Sequence, residues 1–141
     1  MSRAARYTIE TNKTERYSDF LTNLDLNPVT GFLGKAINDH AIAVSLKNII
    51  LTPQGHWPFE SSLGSKIASS LFNFNDERNR DQITSTIGEA IRLHEPRVNL
   101  ESVVIDERAS DNNAIYVSLY YSIINIPDQL FELDVVVTRV R

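Results

Sequence analysis

The sequence predicts an α+β domain, with helices packed on one face of a small, mainly antiparallel β-sheet. Two observations carry that expectation. Apolar residues recur at helical spacing as far as about residue 94, and from residue 100 the period switches from 3.6 to 2. The last three apolar runs are joined by short stretches rich in Asn, Asp, Ser and Pro, so the strands follow one another as a meander beside the helices.

The elements follow in chain order. Residues 1–38 are polar and irregular: Arg3, Arg6, Lys13 and Arg16 alternate with Glu10, Glu15 and Asp19, and Asn27-Pro28 and Thr30-Gly31 signal turns. They read as a partly extended N-terminal arm, ordered in part or on a partner, with the folded domain at residues 39–141. Asn38 or Asp39 is placed to cap a first helix through its side-chain oxygen. Ile42, Leu46, Ile49 and Ile50 form its apolar stripe, and Pro53 ends it near Leu51. In the loop that follows, Trp57 and Phe59 flank Pro58 and are expected to plug the core. A short helix over residues 65–72 carries Ile67, Leu71 and Phe72. Asn75 or Asp76 then caps a longer helix to about His94, with Ile83, Ile87, Ala90 and Ile91 on one face. Pro96 forces the chain out of it. Strands are expected over residues 100–108, 114–124 and 130–140, with a hairpin loop at 109–113 and a turn at 125–128. In the second strand Ile115, Val117, Leu119, Tyr121 and Ile123 share a face. In the third, Phe131, Leu133, Val135 and Val137 point inward while Glu132, Asp134 and Thr138 point outward.

Composition narrows the function. The chain has 141 residues, the size of one ordinary domain, and 42% of them are hydrophobic, enough to bury a core. Fourteen Lys and Arg against eighteen Asp and Glu give a net charge of −4, which argues against a general nucleic-acid binder. The absence of cysteine removes disulfides, thiolate catalysis and Cys-based metal sites. No apolar run reaches the ~20 residues of a bilayer span, and no apolar stretch backs the charged N-terminus as a secretory signal would require. His40, His56 and His94 stand on separate elements without metal-ligand spacing, so no metal is expected. Nucleophile-elbow, phosphate-loop and dinucleotide motifs are absent, and no cofactor is expected. Glu60, Glu89, Glu95, Asp106 and Glu107 are the carboxylates from which a glycosidase pair would have to come, but no sugar cleft is apparent around them.

Two features remain. Glu95-Pro96-Arg97 forms a rigid corner where helix turns into strand: Pro96 fixes φ, and Glu95 and Arg97 offer an acceptor and a five-donor fork. It is either a structural corner or a preorganised clamp for a partner's backbone. Residues 130–140 form a long strand without proline. A three-stranded sheet has two edges, each with unpaired N–H and C=O groups that a partner strand could fill. Glu132, Asp134 and Arg139 could equally protect that edge.

Several segments, in order, resemble the baseplate wedge proteins of contractile phage tails, the lysozyme-like wedge or sheath-initiator family, which has a counterpart in type VI secretion baseplates. They are Val44-Ser45-Leu46-Lys47-Asn48-Ile49-Ile50; Gly55-His56-Trp57-Pro58-Phe59 with Gly64 a few residues on; Ser69-Ser70-Leu71-Phe72; Ile87-Gly88-Glu89-Ala90-Ile91; and Glu95-Pro96-Arg97-Val98. The resemblance covers residues 44–140, and Trp57 departs from it where a more polar residue is expected. It implies a structural protein without enzymatic activity. Its Glu95-Pro96-Arg97 corner would dock on a helical bundle of other wedge proteins. Its sheet would be similar to the connecting "handshake" domain of the sheath subunit and would accept sheath strands at the edge formed by Phe131, Leu133, Val135, Val137 and Arg139. It also implies several copies, six around the tail axis, in a virion assembled in the host cytoplasm. The N-terminal arm would reach tube or hub proteins. Neither nucleic acid nor membrane is an expected partner. The rivals are the secretion-system counterpart and a peptidoglycan hydrolase.

Overall fold

The computed structural model describes residues 16–70, 77–106 and 114–138. Its elements are β1 (Ser18–Phe20), β2 (Lys35–Ile37), α1 (Asp39–Leu51), α2 (Ile67–Ser70), α3 (Glu77–His94), β3 (Val98–Asp106), β4 (Ala114–Ile123) and β5 (Ile126–Thr138). The last three strands form one antiparallel sheet in the order β3-β4-β5, and the helices share its core face, as the change of period predicts. The caps at Asn75 or Asp76, the 109–113 loop and Arg139 lie outside the described residues.

The core is built by matching periods. Ile42, Leu46 and Ile50 of α1 and Ile83, Ile87 and Ile91 of α3 recur every fourth residue. They meet Ile115, Val117, Leu119, Tyr121 and Ile123, which recur every second residue along β4. Val135 and Val137 extend this layer onto β5. Each such aliphatic side chain contributes about 1.5–3 kcal/mol on full burial, so the helix-on-sheet contact carries the fold. The β3 pattern is broken in a way the sequence hides. Val98 and Leu100 face the core, then Val103 and Ile105 do, a change of parity. A bulge between Leu100 and Ser102 absorbs the extra residue Glu101, so that Leu100 stands opposite Tyr121 and Val103 opposite Leu119.

Four expectations need correction. The N-terminal region is not irregular throughout: β1 and β2 pair antiparallel, with Ser18 opposite Ile37 and Phe20 opposite Lys35, and Tyr17 packs against the core. Asn38 takes the N-cap position of α1 but makes no cap bond. Its side-chain oxygen instead accepts from the backbone N–H groups of Arg16 (2.9 Å) and Tyr17 (3.4 Å), tying the hairpin's entry to the helix. Trp57 and Phe59 do not plug the core; they are 54% and 102% exposed. Their loop is held by its main chain, with Gln54 N–H donating to Ser65 O and Gly55 N–H to Ser61 O, and Ile67 supplies the buried apolar group instead. Finally, the β4–β5 turn is Ile124-Asn125 rather than 125–128, and β5 starts at Ile126.

A charged corner and a sheet edge as the candidate functional site

The corner is assembled by the end of α3. Glu95 N–H still donates to Ile91 O (2.8 Å), the last helical bond; Pro96 then turns the chain, and Val98 N–H closes back on Glu95 O. Arg97 O next accepts from Ile124 N–H (3.0 Å), which ties the corner to the sheet. The Glu95 side chain is only 2% exposed. The guanidinium grips it side-on, Nε to Oε1 at 2.5 Å and Nη2 to Oε2 at 2.6 Å, and Ser45 Oγ donates to Oε2 at 2.6 Å. Burial pushes the Glu95 carboxyl up. The Arg97 and Ser45 hydrogen bonds and the guanidinium charge outweigh it and hold the group below its usual range. The same pairing, against a smaller effect of burial, raises Arg97.

Glu95 and Arg97 thus come together as the sequence suggests, but chiefly with each other. The Arg97 side chain is 37% exposed, and two of its five N–H donors are spent on Glu95. Its guanidinium lies 5.2 Å from the centre of the Tyr17 ring, within cation–π range. The Tyr17 hydroxyl in turn accepts from Asn125 Nδ2. Pro96 and, one turn back, Leu93 face solvent. Sequence reasoning missed Ser45 and Tyr17. Ser45 left a signal: with Ile42, Leu46 and Ile49 it completes an i, i+3, i+4, i+7 stripe, a polar residue on a core-facing side. Tyr17 left none.

The second feature is β5. Nine of its residues, 130–138, pair without interruption from Leu130 opposite Ser122 to Thr138 opposite Ala114. In the described sheet nothing pairs with its other side. Pro127 fits there, because a proline lacking its N–H is tolerated in an edge strand. The other edge, β3, is bent by the Glu101 bulge and is the worse template. Val135 and Val137 are buried and Phe131 and Leu133 half-buried, all on the helix side. These side chains line the sheet's inner face, while the edge itself is backbone. On the outer face Tyr120 OH donates to Glu132 Oε1 (2.7 Å) and Ser118 Oγ to Asp134 Oδ1 (2.6 Å), and the first bond raises the Tyr120 phenol.

Among the described residues no three metal-binding side chains cluster. His94 is engaged at its helix end, 2.9 Å from Ser62 O. A cleft of about 260 Å³ between the Tyr17 segment and the β4–β5 turn is lined by one carboxylate, Asp39. Glu60 lies in the 52–66 loop, Glu89 is exposed on α3, and Asp106 ends β3. No described helix is long and apolar enough to cross a membrane.

Two solved structures share this helix-backed antiparallel sheet. A Geobacter sulfurreducens protein described as a tail lysozyme superposes with a TM-score of 0.64 at 23% identity, over 71% of this chain and 89% of that one. A chain of the anti-feeding prophage baseplate, reconstructed with six-fold symmetry, gives 0.60 at 20% identity, over 89% of this chain and 87% of its own. These two likenesses establish the fold. The family profile of baseplate wedge protein gp25 matches residues 38–128, well over half the sequence, and the chain belongs to that family. Baseplate wedge protein gp25 of Enterobacteria phage T4 is 26% identical over 101 residues, 72% of this chain and 76% of its own length. The protein is a baseplate wedge component of a contractile phage tail or phage-like particle.

Proposed function

We propose that this wedge component is non-enzymatic, fastens to a helical bundle of other wedge proteins through the 95–97 corner, and starts sheath polymerisation by accepting a sheath strand at β5. The observation that carries the reading is the nine-residue regular edge of β5, apolar beneath and, among the described residues, unpaired outside. Such an edge is an aggregation hazard unless something fills it, and strand addition does so through main-chain bonds whose register is set by geometry. At the corner, Glu95 acts as the anchor and Arg97 as the contact: the buried carboxylate fixes the fork, and the guanidinium's remaining donors, beside Pro96, face the partner. Six copies around the tail axis, assembled in the host cytoplasm, would give sheath subunits a ring to grow from. The six-fold anti-feeding prophage baseplate favours that copy number.

Light scattering of purified sheath subunits seeded with assembled baseplates tests strand addition. Proline at one of two adjacent β5 positions, Asp134 or Val135, removes an outward-facing N–H, and at the other an N–H bonded to β4. The variant that keeps the native circular dichroism spectrum should seed no sheath while still binding its wedge partners. Seeding at the normal rate would refute the reading. Cell-wall suspensions should not clear on addition of the protein, and clearing lost in Glu95→Gln would make it a hydrolase.

A further inference from the structure

The solvent side of β5 specifies the chemistry of the strand it accepts. Leu130, Glu132, Asp134 and Val136 follow one another there, the two apolar residues exposed. Both carboxylates are held from the β4 side by neutral hydroxyls directly opposite in register, Glu132 by Tyr120 and Asp134 by Ser118. No cation is supplied by the sheet itself, because β3, β4 and β5 contain no Lys or Arg within their bounds. Beneath, Val135 and Val137 are buried, whereas Phe131 and Leu133 still show apolar surface. The free border is therefore acidic above and unfinished below over the same four residues.

We propose that the strand received by β5 alternates apolar and basic residues. Its apolar side chains cover Phe131 and Leu133, and two Lys or Arg, spaced two residues apart, stand opposite Glu132 and Asp134. This rests on strand addition at β5, argued above. Side chains directly opposite across a ladder stand ~4.5–5.5 Å apart, where opposite charges stabilise and like charges oppose pairing. The same carboxylates reject a second copy of this chain. An antiparallel β5–β5 pairing centred on Leu133 sets Glu132 against Asp134, acid on acid. The free domain is kept from pairing with itself until a basic strand arrives, so discrimination comes from repulsion as well as attraction.

Fluorescence anisotropy with labelled eleven-residue peptides at low salt tests this on the full chain. One peptide alternates Val and Lys, a second carries Glu for every Lys, and a third scrambles the first. The Val/Lys peptide should bind the wild type about tenfold more tightly than either control, the sum of two cross-strand charge pairs. The preference should reverse in Glu132→Lys/Asp134→Lys and shrink in Glu132→Gln/Asp134→Asn, which keeps shape and removes charge. Equal binding of the scrambled peptide would reduce the preference to net charge and overturn the rule. Equal binding of all three, unchanged in the variants, would overturn the charge rule while leaving strand addition in place. Binding of none would bring down both.

Discussion

Residue 95 holds a carboxylate where burial alone would cost several kcal/mol. Three hydrogen bonds offset that cost, two from Arg97 and one from Ser45. Because the pair is closed within the chain, Arg97→Ala acts first on the fold. It should lower stability by about 2–4 kcal/mol in urea unfolding, less than for a fully buried pair because the guanidinium is over a third exposed and screened. Ser45→Ala removes one charge-assisted bond and should cost about 1–2 kcal/mol. The pH dependence has a fixed sign. Glu95 is held below its ordinary value, so the unfolded chain binds more protons as pH falls. The stability it supplies is complete above about pH 4.3 and is lost as pH drops through the lower folded value. Glu95→Gln should lack that acid-dependent component, which urea midpoints between about pH 5 and pH 2 would reveal. The proposed docking at the corner is better probed with Leu93→Ser beside it, which leaves the ion pair intact. Loss of co-elution with wedge partners on a sizing column is the expected result.

At the scale of elements, the 52–65 connection depends on one glycine. Gly64 has φ +105°, and a Cβ there would lie 2.3 Å from Thr52 O, the oxygen that accepts Ser65 N–H. Gly64→Ala should therefore lower stability by about 2 kcal/mol or more, visible as a shifted melting temperature, whereas Gly55→Ala, with open space around its Cβ, should cost less. This connection also shows where sequence reading stops. The stripe of Ile83, Ile87 and Ile91 and the alternation of Ile115 to Ile123 expose helix and strand directly, because burial imposes their periods. Trp57 and Phe59 mislead, because hydrophobicity says nothing of direction when a loop is held by its backbone. The Glu101 bulge erases the β3 alternation, and the β1–β2 hairpin is too short to show a period. At the corner, Glu95 and Arg97 are legible because they are adjacent in sequence. Tyr17 reaches Arg97 only through the fold.

At the scale of the whole molecule, the described residues form a helix-backed sheet with a self-satisfied anchor at one junction and, along one border, a strand whose outer side is unpaired in the described sheet. Helices cover one face of the sheet, β3 is bent by its bulge, and residues 130–138 of β5 form the longer uninterrupted edge. In the proposed role, such a protein offers a place from which strands of neighbouring subunits are continued, and a ring of copies would supply a nucleus that free sheath subunits lack. The most direct measurement is a cryo-EM reconstruction of the assembled baseplate carrying its first sheath ring. The account predicts a strand of a sheath subunit hydrogen-bonded along residues 130–138. A border left bare there, or filled by this chain's own residues, would contradict it.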